Sequence, residues 1–405
     1  MSGFGPFGAG DPFGGLPFFA DLAKMLAQQG PVSWDAARQL AASIATGGES
    51  EPNVDPVDRL QLEQLARVAD LHVGSTTGLS TSASGQVKVV PVTRTQWLAS
   101  SLDVYKPLVE SIASSLGPAP GDDAPAVPTV DPDADPEAAV DQWLGGMMQM
   151  LAPMMLGMTA GSMLGHLATR SFGQYDLPVP RPGTDEILVV LRNLDEFGQE
   201  WSLDRDELRL WVCLHEITHH AVLGVPHVRD ALREMLSGFA ANFQPDTGVL
   251  EERLGNLDPT DVQGLASVQS MFGDPEVVLG AIRSPAQAEL LPRLEALVAV
   301  VVGYVDWVMD TVGERLMGRY GQITEAMRRR RVEAAAADRF AGQILGLDLT
   351  QDLYDRGTTF VEGVVERAGT EGLDRLWAAP ANLPTPNEVV APGLWLARID
   401  LPDDV

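Results

Sequence analysis

The sequence contains a single cysteine, Cys213, among its 405 residues. A lone cysteine excludes an intramolecular disulfide framework, and its position in an apolar segment predicts a buried thiol. The first 23 residues contain no lysine or arginine and are interrupted by glycine and proline. This stretch has neither the charged nor the apolar region of a secretory signal. Together these absences predict a protein of the reducing cytoplasm.

Basic residues are also scarce, with 28 lysines and arginines against 56 acidic residues and a net charge of -28. Such a charge repels phosphate backbones and anionic lipid surfaces, so we expect no nucleic-acid partner. The exception is a run of four arginines, Arg328 to Arg331. Two interpretations of this run stay open: a solvated helix face paired with acidic side chains, and an anion site.

Stretches rich in glycine, proline or acidic residues divide the chain, while its 45% hydrophobic content is enough for a sizeable core. The predicted parts are a flexible Gly/Phe-rich arm (1–20), an N-terminal helical region (21–116), an acidic Pro-rich linker (117–137), a catalytic region (138–379) and a C-terminal tail (380–405).

A methionine-rich segment, residues 143–168, is long and almost uncharged, with Gly157, Gly161 and Gly165 at four-residue spacing. Its length raises the possibility of a membrane span. Pro153 in its middle, and methionine in place of the usual branched aliphatics, argue against one. We expect instead a buried helical hairpin in which methionine fills gaps and glycine allows close helix approach.

Residues 186–191 (EILVVL) form the clearest strand candidate, since they are β-branched and bounded by turn residues. Nearly every other periodic segment has helical spacing. The sequence therefore predicts a mainly α protein of the α+β class with a small β-sheet.

The strongest helix prediction covers residues 204–223 (DRDELRLWVCLHEITHHAVL). Asp204 is the expected N-cap, Glu207 its capping-box partner, and Gly224 a stop signal. His215, Glu216 and His219 lie on this helix as an HExxH motif.

The spacing of this motif suits a zinc site. Because positions i and i+4 share one helix face, His215 and His219 can reach one ion at about 2.0–2.1 Å. Glu216 flanks the ion without binding it. Zinc held in this way lowers the pKa of its bound water toward about 7, and Glu216 can take the proton of that water. The expected cofactor is Zn2+, with Glu216 as catalytic residue.

The third zinc ligand is harder to predict. Asp306 is the single charged residue in the apolar stretch 296–309 (ALVAVVVGYVDWVM), and a buried carboxylate must be paired, hydrogen-bonded or metal-bound. It is our first candidate as a metal ligand. An orienting contact to the second ring nitrogen of a histidine, and an ordinary salt bridge, stay open as alternatives.

Further candidates lie near the motif and on a later helix. Val222 and Val225 stand where an extended HExxHxxGxxH pattern requires glycine and histidine, so that pattern fails. His227, two positions further on, is a possible third ligand or a cleft residue. Glu333 and Asp338 are weaker candidates.

Several segments resemble the zincin-like hydrolases of actinobacteria, a family of metal-dependent peptidase-like proteins of unassigned substrate. HEITHH with its flanks is the specific part of the match. The resemblance is carried by GFGPFG, SFGQYDLPVP, LRLWVCLHEITHHAVLGVPHVR, VGYVDWVMD and ILGLDLTQDLYDRGTTFVEGVVE.

This resemblance implies a zincin-like fold and a zinc-dependent hydrolase, which we expect to be a metallopeptidase that acts on a peptide or protein substrate. One branch of the family, linked to biosynthesis of a deazaflavin coenzyme, is similar in this region but has glutamate four residues before the equivalent of Asp306. Here that position is Val302. The alternative is therefore an inactive zincin-like scaffold that uses its arm and its methionine-rich segment for interaction, at a membrane or with another protein.

Overall fold

The computed structural model describes residues 30–115, 136–245, 281–333 and 336–401. The predicted arm (1–20), and nearly all of the predicted linker (117–137), lie outside the described residues. The helices are α1 Trp34–Thr46, α2 Pro56–Thr77, α3 Arg94–Ser115, α4 Pro136–Arg170, α5 Leu191–Glu200, α6 Arg205–Gly224, α7 Pro226–Ala241, α8 Pro285–Leu316, α9 Tyr320–Val332, α10 Ala336–Leu345, α11 Gln351–Ala368, α12 Glu371–Asp374, α13 Pro386–Val390 and α14 Pro392–Ile399.

The strands form two small pairs. β1 (Lys88–Val92) pairs in parallel with β2 (Glu186–Val190), and β3 (Gln244–Pro245) pairs antiparallel with β4 (Ala281–Ile282). β2 lies where the sequence predicted a strand. The prediction of a mainly helical α+β fold with a small sheet is confirmed.

Helix α8 is the centre of the core, because its residues from Ala296 to Val305 are all buried. It packs against α6, α7 and α11. Among the described residues it is the one helix whose length and hydropathy would suit a membrane span, yet 78% of its most apolar window is buried inside the protein. Burial of this kind is what the core helix of a folded domain shows.

The methionine-rich segment forms part of one continuous helix, α4, so the expected hairpin is wrong. Its glycines do allow the close approach that the sequence predicted, and the partner is α1. A Cβ atom on Gly157 would lie 2.3 Å from the carbonyl oxygen of Ser33, and one on Gly161 would lie 2.6 Å from that of Ala37. The chain continues through Pro153 because a proline inside a long helix can be accommodated when neighbouring helices pack around it.

The C-terminal residues also join the core. Trp395 on α14 is fully buried, and its indole N–H donates to the carbonyl of Asn382 at 2.6 Å. Its ring meets that of Phe360 on α11 edge-on, with 5.6 Å between the ring centres. This end of the chain therefore supports α11, the helix that borders the cavity described next.

Candidate active site

Helix α6 carries the HExxH motif and is fixed at both its start and its side. The Asp204 carboxylate caps the helix by accepting hydrogen bonds from the backbone N–H groups of Asp206 and Glu207. Arg209, whose side chain is fully buried, pairs with Asp58 on α2 at 2.9 Å and with Asp195 on α5 at 3.2 Å. These ion pairs join three helices next to the motif and hold α6 in place.

The expected capping box does not form. Glu207 turns away from the cap, and its carboxylate accepts hydrogen bonds from the backbone N–H groups of Gly318 and Arg319, each at 3.0 Å. It thereby satisfies free N–H groups before α9 and connects the start of α6 to the start of α9. Helix α9 carries two of the arginines at the site.

The two histidines of the motif face each other, with 4.4 Å between their ring centres. The Nδ1 atom of His219 donates to the carbonyl oxygen of His215 at 3.1 Å. The Nδ1 atom of His215 lies 3.2 Å from Oε1 of Glu216. Trp211 stacks on His215, and Tyr175 is nearly parallel to His219 at 6.0 Å.

These contacts leave the same nitrogen of each ring available. When Nδ1 carries the proton, the lone pair lies on Nε2, which is the arrangement found in histidines that bind a metal. Within the described part of the chain, neither Nε2 has a hydrogen-bond partner. Burial lowers the pKa of His215 to about 4 and that of His219 to about 3, so both rings are neutral at physiological pH.

Glu216 is fully buried beside the histidines. Its Oε2 atom accepts hydrogen bonds from the backbone N–H groups of Gln174 at 2.6 Å and Tyr175 at 3.0 Å. Burial, followed by the nearby charge of Asp176, raises its pKa to about 7. A Cβ atom on Gly173 would lie 2.2 Å from the carboxyl carbon of Glu216, so a side chain at that position would displace the carboxylate.

The loop that holds Glu216, residues 171–176, is itself anchored. The indole N–H of Trp97 donates to the carbonyl of Gly173 at 2.6 Å. Arg181 donates to the carbonyl of Gln174 through two nitrogens, at 2.9 and 3.2 Å. The sequence patterns did not predict that this loop is part of the site. The signal was present in SFGQYDLPVP, which entered only as part of the family resemblance.

Asp306 does not join the histidines as a third ligand. It forms a two-point ion pair with Arg331, at 2.9 and 3.0 Å, because the planar guanidinium matches both carboxylate oxygens. Of the roles considered for Asp306, the structure shows the salt bridge. Its charge still acts on both motif histidines, where it works to raise the pKa.

The other candidates lie apart from the motif. His227 is at the start of α7, and its buried Nε2 has no partner among the residues described. Glu333 is exposed, and Val302 is buried in the core. The side chain of Asp338 is outside the described part of the structure. Across the described ranges, no group of three or more His, Cys, Asp or Glu side chains is arranged to hold a metal ion.

A cavity of about 360 Å3 opens beside the motif. Its wall includes His215 and Glu216 from α6, Trp211 stacked on the first of them, and Tyr354 from α11. A cavity of this size accommodates a small ligand or part of a chain. A neutral imidazole with a free Nε2 and a buried carboxylate therefore face the same enclosed space.

These features fit zinc in part. Two imidazoles with fixed Nδ1 atoms form two of the three protein ligands that a catalytic zinc site uses. The described residues supply no third one.

Comparison with known proteins gives the family of the chain. The zincin-like metallopeptidase family matches residues 32–396. The chain belongs to this family. No curated protein matches the chain.

A solved structure from Chloroflexus aurantiacus, described as a "putative hydrolase with a novel fold", matches with a TM-score of 0.62 and 22% identity. The match covers 92% of this chain and 99% of that one. At this identity the likeness shows a shared fold alone. The resemblance to actinobacterial and deazaflavin-linked relatives stays a prediction.

Proposed function

We propose that this zincin-like protein is a zinc-dependent hydrolase that cleaves peptide bonds in the cytoplasm. The observation that carries the proposal is the HExxH arrangement: two neutral histidines with free Nε2 atoms next to a buried carboxylate, of which His215 and Glu216 line one cavity. Family membership supports hydrolysis as the reaction class. Peptides or proteins are the proposed substrates.

His215 and His219 would hold the metal through Nε2. The contacts of their Nδ1 atoms fix the tautomer and the ring orientation before any ion binds. When bound there, zinc supplies a Lewis acid, which polarises the substrate carbonyl and makes a nearby water more acidic.

Glu216 would act as the general base. Its Oε2 atom is anchored by two backbone N–H groups, whereas among the described residues Oε1 hydrogen-bonds with His215 alone. A carboxylate oxygen can accept two hydrogen bonds, so Oε1 keeps room for a water from the cavity. A pKa of about 7 suits a group that takes a proton from water and passes it to the leaving amine near neutral pH.

The test is cleavage of a library of fluorescence-quenched peptides by the zinc-loaded protein. We expect Glu216→Gln to lower kcat by about 10²- to 10⁴-fold, the usual contribution of a general base. Asp206→Asn is the matched control, since Asp206 is an exposed acid on the same helix. Equal loss in both variants, or wild-type activity in Glu216→Gln, would contradict the role of Glu216.

A second candidate function is a non-catalytic zincin-like scaffold. Two observations favour it: the pairing of Asp306 with Arg331, and the lack of a third ligand among the described residues. The scaffold predicts that the purified, folded protein contains no zinc, whereas the enzyme predicts about one zinc per chain. Metal analysis therefore separates the two functions.

A further inference from the structure

The cavity beside the motif has a charge balance opposite to that of the whole chain. The described residues in its wall include four arginines, Arg170, Arg330, Arg331 and Arg339, and three acidic residues, Asp176, Glu216 and Asp348. The whole chain has twice as many acidic as basic residues. Arginines from three different helices therefore meet at the one place where the proposed chemistry would occur.

Helix geometry divides the arginine run of α9 between solvent and cavity. Arg328 and Arg329 point outward, and both pair with Glu325. Arg330 and Arg331 line the cavity. The interpretation as a solvated face paired with acidic side chains thus fits Arg328 and Arg329, and that of an anion site stays open at the cavity.

Arg330 is rigidly held but keeps donors free. Its guanidinium lies 3.9 Å from the ring centre of Phe172. A single nitrogen, Nη2, donates both to Asp176 at 2.8 Å and to the carbonyl of Arg170 at 2.7 Å. Its Nε and Nη1 make no hydrogen bond to any residue that the structure describes. A planar, oriented guanidinium with open N–H groups is the usual partner of a carboxylate.

The surroundings of Arg330 suit a ligand that carries both an anionic and an apolar group. Arg331 is paired with Asp306 and lies over the ring of Tyr354, so it does not compete with Arg330 for an anionic ligand. Trp211 and Leu177 add apolar surface to the same wall. A ligand can therefore place an apolar group against these side chains and an anionic group at Arg330.

We propose that the substrate of this site carries a carboxylate close to the scissile amide, and that Arg330 binds that carboxylate. The inference rests on the proposed hydrolytic function, which makes the bound molecule a substrate. It deepens that function by naming the substrate class: a peptide end, or an acidic side chain next to the cleaved bond.

The experiment compares two probes that differ only in the carboxylate, hippurate (benzoylglycine) and hippuramide, by calorimetry on protein stripped of metal with EDTA. Hippurate is expected to bind at least about tenfold more tightly, since hydrogen bonds between charged partners are about twice as strong as neutral ones. Equal affinities for the two probes overturn the proposal. Benzyl phosphate is a third probe. If it binds more tightly than hippurate, the choice of carboxylate over phosphate is overturned.

Arg330→Gln should reduce the preference for hippurate to less than about threefold, because it removes the charge that distinguishes the two probes. Arg328→Gln is the matched control from the same run and should keep the full preference. Preference unchanged in Arg330→Gln overturns the role of Arg330. If that variant does not fold, the wild-type comparison still decides the substrate class.

This result is independent of hydrolysis. A preference for hippurate in a protein that cleaves no peptide would count against the proposed function and leave the carboxylate site intact. A protein that cleaves peptides but shows no preference for hippurate would support the proposed function and overturn the carboxylate site.

Discussion

Glu216 is held inside the protein by a loop that leaves no room for a side chain at Gly173. A buried carboxylate is tolerated only when hydrogen-bond donors face it, and here the backbone of Gln174 and Tyr175 provides them. The geometry of the proposed base is therefore set by residues that follow α4, far from the HExxH motif in sequence. Substitutions in that loop therefore test the site without altering the motif itself.

Gly173→Ala should displace Glu216, because the added methyl would lie 2.2 Å from its carboxyl carbon. We expect a loss of about 1–3 kcal/mol in the free energy of unfolding, as for overpacked interiors, together with a fall in kcat. Urea unfolding and peptide cleavage measure the two effects. Gly183→Ala is the control, since no atom lies within 4 Å of the methyl that this change would add; equal behaviour of the two variants would contradict the account.

The buried histidines predict an acid-sensitive metal-free protein. The pKa of His215 falls to about 4 and that of His219 to about 3 in the folded state, below the value of 6.5 for a free histidine. The unfolded chain therefore binds more protons between pH 6.5 and pH 3, so stability is fully present above pH 6.5 and is lost as the pH falls through this window. Between pH 7.5 and pH 5 the expected loss is about 2 kcal/mol for each histidine, and the raised pKa of Glu216, which acts in the opposite direction, offsets about one of the two.

Urea unfolding in EDTA at pH 7.5 and pH 5 measures this loss. His219→Gln should show a smaller difference between the two pH values than the wild type. His166→Gln, which changes an exposed histidine on α4, should match the wild type. A wild-type difference that persists undiminished in His219→Gln would count against the burial of a neutral ring.

At the scale of helices, the crossing of α8 and α11 depends on two glycines. A Cβ atom on Gly357 would lie 1.9 Å from the carbonyl oxygen of Ala299, and one on Gly303 would lie 2.2 Å from the backbone carbon of Gly357. Helices this close place Tyr354 of α11 at the cavity, where its ring contacts the Arg331 guanidinium that pairs with Asp306 of α8. The crossing thus brings together side chains that the sequence keeps apart.

Gly357→Ala should lower the free energy of unfolding by about 1–3 kcal/mol or more, because two backbones would have to separate. Gly74→Ala is the matched helical control, since no atom lies within 4 Å of the added methyl. That control should stabilise the protein by about 0.5–1 kcal/mol through helix propensity. Thermal or urea unfolding measures both, and a stabilising Gly357→Ala would contradict the close crossing.

Periodicity and caps predicted most individual helices, because these signals are local. Asp204 and Gly224 bracket α6 as expected, and the β-branched run at Glu186–Val190 is a strand. The hairpin expected around Pro153 was wrong because a proline signals a break only when no tertiary packing compensates for it. Here the Pro153 carbonyl accepts a hydrogen bond from the backbone N–H of Ser33, just before α1.

The HExxH motif was found in the sequence because its spacing is a local pattern that its chemistry requires. The sequence did not place Gln174 or Arg330 beside the motif, since both are separated from Glu216 by long stretches of chain. Asp306 was singled out by burial, which established that it needs a partner but not which one. Arg331 became that partner only through the packing of α9 against α8.

For the whole molecule, the burial of α8 favours a core helix over a membrane span. We expect the protein to stay in the supernatant when a cell lysate is cleared by high-speed centrifugation. The reason is that the apolar residues of α8 are already covered by other parts of the chain. Recovery in the membrane pellet after a salt wash would support the interaction-protein alternative.

The zinc content of the purified chain tests the central claim most directly. We predict about one zinc per folded wild-type chain and loss of that zinc in His215→Ala. Inductively coupled plasma mass spectrometry measures the zinc content. Exposed His166→Ala should keep it. A folded wild-type protein that remains free of zinc after incubation with an excess of the ion, or a His215→Ala variant that binds it equally well, would contradict the account.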